Sequence, residues 1–414
     1  MRINNRRKLP LSYLIFPSLF TAPILLIKWA MFIKKVILFL LAAALFCISC
    51  NSSINKIFSK RTPHEAYADK VEDSPQGQQW LAVSKKALIA PQTIQLPYRQ
   101  VGYFHPDKPR ALALQFTAKQ GERINFDLIK KAGTGFVIYA DLFRQDGVDA
   151  SHLLAADTSS SQFGFDADET GNYILRLQPE LYRTGEYNLS ATVTPSLGFP
   201  VAGNKARTGS FWGDARDGGQ RSHEGIDIFA PKLTPAIAAA DGYITGVREG
   251  GIGGKTIWVR ATGRNLHLYY AHLDKQLVQE GQEVKKGDTL GLVGNTGNAK
   301  YTPPHLHFGI YTSDGPIDPF PFVNKAVKTA PAFEAKDLTA HLRLKPAAKP
   351  KVSSAMVNDT SLLVPLAVNA DGYIAEFPDG NIIQTPFKSV KPVKIEKQSN
   401  ILATDKKLQN GSGG

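Results

Sequence analysis

Cysteine is nearly missing from this sequence: there are two in 414 residues, Cys47 and Cys50, both at the end of an apolar leader. That excludes a disulfide framework and a cysteine-ligated metal in the rest of the chain, so any metal there must be held by histidine and carboxylate. Long apolar runs are also lacking. Residues 36–48 are apolar but too short to span a bilayer comfortably, which favours a cleaved export signal over a permanent helix. No basic stripe interleaved with aromatics is present, which argues against a nucleic-acid partner. The glycine-rich stretch at 249–255 misses the phosphate-loop spacing and has no parallel-sheet signal around it, so it reads as a hairpin turn. Charged residues at 21% and hydrophobic residues at 43% give no signature of wholesale disorder or of a multi-span membrane protein.

The chain is long enough for two or three compact domains. Its formal charge of +13 shrinks by the seven basic residues of the acid-free leader, Arg2, Arg6, Arg7, Lys8, Lys28, Lys34 and Lys35. What remains is mildly basic. From Met31, read as the true start, Met-Phe-Ile-Lys-Lys leads into the apolar run and then into Ser49-Cys50-Asn51. Ser49-Cys50 resembles a loose bacterial lipobox, although Phe46 and Cys47 stand where such motifs usually carry Leu and a small residue. The resemblance implies lipidation of Cys50 and an exported lipoprotein held at a membrane.

The remaining organisation is expected to be mainly β. Residues 51–93, polar in their first part and without sustained periodicity, read as a tether. Residues 94–195 alternate in short runs, as in Ala111-Leu-Ala-Leu-Gln-Phe116 and Gly171-Asn-Tyr-Ile-Leu-Arg-Leu177, and predict a β-sandwich. Residues 200–323 predict an antiparallel-β domain that carries the chemistry. A Pro-containing linker at 324–357, a small SH3-like β module at 358–395 and a disordered tail at 396–414 complete the expectation.

Nine histidines occur, and four fall into three compact motifs. In His223-Glu-Gly-Ile-Asp227 an extended backbone puts His223 and Asp227 on one face and turns Glu224 away. Gly225 lets the backbone pass close. In His305-Leu-His307 both imidazoles share a face, with Leu306 and Phe308 turned into the core. Tyr269-Tyr-Ala-His-Leu273 supplies His272, while His267, five places earlier, would face the other side of a regular strand. Imidazole and carboxylate suit zinc, and three protein ligands with one open position are what a hydrolytic zinc site needs.

The three motifs in this order, with Phe211-Trp-Gly213, Ala239-Ala-Asp-Gly242 and Gly287-Asp-Thr-Leu-Gly-Leu-Val-Gly-Asn-Thr-Gly297 between and around them, closely resemble the lysostaphin-like zinc peptidases. The resemblance spans residues 200–323. It implies a zinc endopeptidase acting on peptidoglycan stem or crosslink peptides, with His223, Asp227 and His307 as metal ligands. His272 and His305 would orient and deprotonate the attacking water and stabilise the oxyanion. Some of these peptidases carry a tyrosine just before the first motif; residues 214–222 hold none, so that role is unassigned. Two other readings use the same residues: a domain that binds wall peptides or an amidase without cutting, and a zinc peptidase acting on proteins.

Overall fold

The computed structural model describes residues 61–131, 136–345 and 362–393. The leader with Cys50, the start of the tether and the tail at 396–414 lie outside the described residues. The described part is dominated by antiparallel sheet, as the alternating pattern requires. Among the described residues no helix is long and apolar enough to cross a membrane.

The predicted sandwich is present as a five-stranded sheet facing a larger one of nine strands. Strand Gly185–Pro195 alternates buried and partly buried residues along most of its length, and Glu122–Lys130 does so through its middle. The buried faces meet in a core that contains Phe104, Phe116, Phe126, Leu142, Leu175 and Tyr187.

Two expectations are corrected here. The tether assigned to 51–93 contains two helices, Pro63–Val71 and Pro75–Ile89. Their sequence starts are conventional: Thr62 caps the first with a reciprocal Glu65 contact, Ser74 caps the second, and a proline follows each cap. What hid them is the composition of their buried face, which mixes Trp80 and Ala87 with His64, Gly77 and Ser84 rather than forming an apolar stripe. They cover the outer face of the five-stranded sheet, which is why residues 173–179 of strand Gly171–Pro179 are buried on both sides. The second correction concerns the C-terminal module. The expected linker contributes a strand to it, His341–Leu344, which pairs with both Leu362–Asn369 and Val390–Val393, and the module is also joined to the sandwich, because Leu362–Asn369 pairs antiparallel with Tyr98–Phe104. A satellite core including Val101, Leu342, Leu363 and Phe377 fills the join.

The second domain is built on a ten-stranded antiparallel sheet. In its centre Ile226–Phe229, His305–Thr312, His267–Gln276 and Lys255–Ala261 lie side by side. The expected hairpin over 249–255 joins Gly242–Arg248 to Lys255–Ala261. Alternation splits the sheet's two faces. Ile226, Ile228, Leu306, Phe308, Leu268 and Tyr270 go into the core. Asp227, Phe229, His305 and His307 stand on the opposite face, where direct cross-strand pairing sets Asp227 beside His307 and Phe229 beside His305.

Candidate metal centre

The polar face of this sheet forms the floor of a cleft of about 750 Å³. All five residues singled out by the motifs line it: His223, Asp227, His272, His305 and His307. His223 stands just before its strand, held by a small hairpin in which Ala215–Arg216 pairs with Arg221–Ser222. Gly225 is needed where it is. A Cβ there would lie 2.7 Å from His307 Cε1 and from the Phe308 carbonyl oxygen, closer than a real side chain comes.

Three ligand atoms converge. His223 Nε2 is 3.1 Å from Asp227 Oδ1 and 3.0 Å from His307 Nδ1, and His307 Nδ1 is 3.0 Å from the same Asp227 oxygen. His223 Nδ1–H donates to the Phe211 carbonyl at 2.9 Å, which in the neutral ring leaves the lone pair on Nε2. Asp227 is an acceptor too. Burial opposes its ionisation, but the histidines beside it win and hold the carboxyl well below the usual carboxylate range. One proton on His307 Nδ1 serves one of these acceptors at a time, whereas a cation serves all three. The trio is accordingly a group able to hold a metal ion.

His305 and His272 flank the trio. His305 Nδ1–H donates to the Pro303 carbonyl and His272 Nδ1–H to that of Thr296, each at 2.9 Å. In both rings Nδ1 is thereby committed, and Nε2 is the nitrogen left for chemistry in the cleft. Their centroids are 5.0 Å apart, and His305 Nε2 is 3.9 Å from Asp227 Oδ1. Burial, reinforced by His305 and His307, pushes the His272 pKa down to about 4. Burial also lowers that of His307, against the pull of Asp227.

His272 reaches the cleft by breaking strand alternation. Ala271 is paired directly with His307 and shares its face, so a regular strand would send residue 272 into the core with Leu268 and Tyr270. Instead His272 adopts φ of 62°, a left-handed conformation that costs a non-glycine residue of order 1 kcal/mol or more. Its surroundings hold it there. Its N–H donates to the Gly253 carbonyl at 2.8 Å; the Thr296 hydroxyl donates to the Leu273 carbonyl at 2.8 Å and accepts the Lys255 N–H at 2.9 Å. Residue 297 crosses the glycine-rich hairpin so tightly that a Cβ would lie 2.3 Å from the Ile252 carbonyl oxygen, and its φ of +69 also selects glycine. The same register puts His267 on the cleft side of the sheet, opposite Tyr311, so the expectation that His267 and His272 face apart is corrected. His267 sits at the far end of its strand and is not among the lining residues. Glu224 does line the cleft, but it is not one of the three convergent ligands.

Sequence reasoning missed Arg216. Its Nη2 donates to Asp227 Oδ2 at 2.8 Å and to Ser210 Oγ at 2.7 Å. Nothing in the linear pattern marks it, because only the hairpin folds it back onto a ligand four residues beyond His223.

Residues 221–319 match the family model described as Peptidase family M23. The L-Ala–D-Glu endopeptidase of Bacillus subtilis is 38% identical over 124 residues, covering 27% of this chain and 38% of that protein. The peptidoglycan DD-endopeptidase ShyC of Vibrio cholerae is 36% identical over 88 residues, 21% of this chain and 20% of that protein. The catalytic domain of the antimicrobial peptidase lysostaphin from Staphylococcus simulans is 31% identical, covering 28% of this chain and 90% of that structure, with a TM-score of 0.26. The matched stretch thus spans only 20% to 38% of the length of these two curated relatives.

Proposed function

We propose that the M23-type domain makes this chain an exported zinc metalloendopeptidase that hydrolyses peptide bonds in the stem or crosslink peptides of peptidoglycan. One observation carries the reading: His223 Nε2, Asp227 Oδ1 and His307 Nδ1 converge on a common point in an open cleft, with two further histidines beside them. Zinc suits this donor set. A tetrahedral ion with bonds of about 2.0 Å has ligand edges of roughly 3.3 Å, close to the 3.0 to 3.1 Å separations present. When bound, zinc supplies a Lewis acid that polarises the scissile carbonyl and makes water acidic enough to attack near neutral pH.

The chain's own groups perform the remaining steps. His223, Asp227 and His307 would hold the ion at the floor of the cleft. With Nδ1 committed, His272 and His305 each have Nε2 left for proton transfer, so one of them takes the proton of the attacking water and delivers it to the departing amine. The other ring orients the water, and the ring that has taken the proton donates its Nε2–H to the developing oxyanion before passing it on. The names of the relatives matched over this domain support peptidoglycan as the substrate class. The Ser49-Cys50 motif supports a lipid anchor on Cys50, to be checked by the membrane partitioning of Cys50→Ala.

The test is metal content together with muropeptide release from purified peptidoglycan, with and without a chelator. Stoichiometric zinc and chelator-sensitive cleavage are expected. Zinc with cleavage of casein but not of wall would move the substrate to proteins, and absence of zinc would reduce the domain to a binding module.

A further inference from the structure

We infer that Arg216 is a positioning residue that reserves one oxygen of Asp227 for the metal and keeps the other away from it. This rests on the metallopeptidase reading above. The geometry divides the carboxylate cleanly. Oδ1 lies 3.1 Å from His223 Nε2 and 3.0 Å from His307 Nδ1, at the point where the ligands converge. Oδ2 accepts a charge-assisted hydrogen bond from Arg216 Nη2 at 2.8 Å. A carboxylate can bind a metal through one oxygen or both, and a second bond would occupy a position the reaction needs open. Arg216 takes that second oxygen.

The arginine is itself fixed. Nη2 also donates to Ser210 Oγ, and Ser210 Oγ donates to Asp214 Oδ2 at 2.6 Å. The Phe211 N–H donates to that same Asp214 oxygen at 2.8 Å, and the Phe211 carbonyl accepts the His223 Nδ1–H. Residues 210–216 therefore orient two of the three ligands at once: His223 through a carbonyl, Asp227 through a guanidinium. The Arg216 side chain is 28% exposed and lines the cleft, so its loss removes a contact to the ligand without opening the core.

The experiment uses the full-length chain, stripped by chelator and reloaded with Co²⁺, whose visible absorption weakens as coordination rises above four. Wild type, Arg216→Met, Arg216→Lys and Ser210→Ala are compared by cobalt stoichiometry, visible spectrum and steady-state hydrolysis. Arg216→Met is expected to bind one cobalt with a weaker visible band. Its kcat should fall about 10-fold to 100-fold, the usual effect of losing a hydrogen-bond partner of a metal ligand, with KM little changed. Arg216→Lys, which keeps a donor, should recover part of both. Ser210→Ala, which only loosens the guanidinium, should move the spectrum the same way by less; it carries the test if Arg216→Met does not fold. An unchanged spectrum with kcat within twofold of wild type overturns the inference. So does loss of the metal in Arg216→Met, because Arg216 would then hold Asp227 in place rather than select its oxygen. Failure of wild type to bind metal would overturn the metallopeptidase reading itself, and the wild-type spectrum separates that case from the others.

Discussion

Two regions of this molecule bury histidines beside carboxylates, and their hydrogen bonding separates them. Under the helices on the sandwich, donors meet acceptors. His64 Nε2–H donates to Gln178 Oε1 at 2.7 Å; Gln178 Nε2 donates to the Trp80 carbonyl; Arg176 donates to Asp141 and to Ser84, each at 2.7 Å. Trp80 stacks on His64 at 4.5 Å and donates Nε1–H to the Pro179 carbonyl. Donor meets acceptor throughout this network except at Arg176 Nε, which has no partner among the described residues. In the cleft, by contrast, His223 Nε2 and Asp227 Oδ1 are two acceptors 3.1 Å apart. The rings' donor nitrogens are spent on the carbonyls of Phe211, Pro303 and Thr296. A network of paired donors and acceptors holds elements together, whereas acceptors aimed at one point form a place for a cation.

The sharpest way to break this comparison is to delete one histidine from each role in the cleft. His307→Ala is expected to lose both metal and hydrolysis. His305→Ala should keep the metal while hydrolysis falls about 10²-fold to 10⁴-fold, the range for a general acid or base. Metal analysis beside muropeptide release decides it, and equal metal loss in the two variants would collapse the division of roles.

In the paired network the corresponding deletion acts on stability. Trp80, 1% exposed, is the anchor of the second helix, and Trp80→Ala should cost about 3–5 kcal/mol of unfolding free energy. Denaturant titration measures it. Metal stoichiometry per folded molecule should not change, and its loss would mean that the two regions are not independent.

A milder change tests how firmly the cleft is pre-set. Thr296→Val removes the hydroxyl that bridges Lys255 N–H and the Leu273 carbonyl beside His272. Metal binding should persist while kcat falls on the order of 10-fold to 100-fold, the scale of a misplacement near 1 Å. Thr296→Ser, which keeps the hydroxyl, should restore most of the rate.

The smallest effect is a pH dependence. Burial, aided by Arg176, lowers the His64 pKa below its ordinary 6.5. The folded state therefore resists the proton more than the unfolded chain does. Stability from this site is complete above 6.5 and is lost as pH falls from there toward the folded value. The stability gap between wild type and His64→Gln should be widest and constant above 6.5 and should close as pH falls below it; a gap that does not change below 6.5 would show that His64 does not titrate on unfolding.

How far each feature could be read from the chain depended on whether neighbours in sequence carried it. Alternation placed His305, His307 and Asp227 on one face and Leu306 and Phe308 on the other, and the structure keeps that division. The two helices were missed because their buried side is half polar: Ser84 and His64 are satisfied by Arg176 and Gln178, more than 90 residues away. The join between the C-terminal strands and Tyr98–Phe104 was missed because it is a long-range pairing that no local pattern encodes. Arg216 was invisible because a short hairpin, which no side-chain pattern marks, turns it back onto Asp227.

What the sequence determined by itself is the identity and spacing of the metal-holding groups and the β periodicity that seats them, since both depend on side-chain chemistry and the two-residue repeat of a strand. The tertiary structure decided the rest. It turned His272 to the cleft through a left-handed backbone held by Gly253 and Thr296, set Arg216 against Asp227, and closed the polar helices onto the sandwich, because each of these depends on how the backbone folds back to bring separate segments together and not on the repeat of one strand.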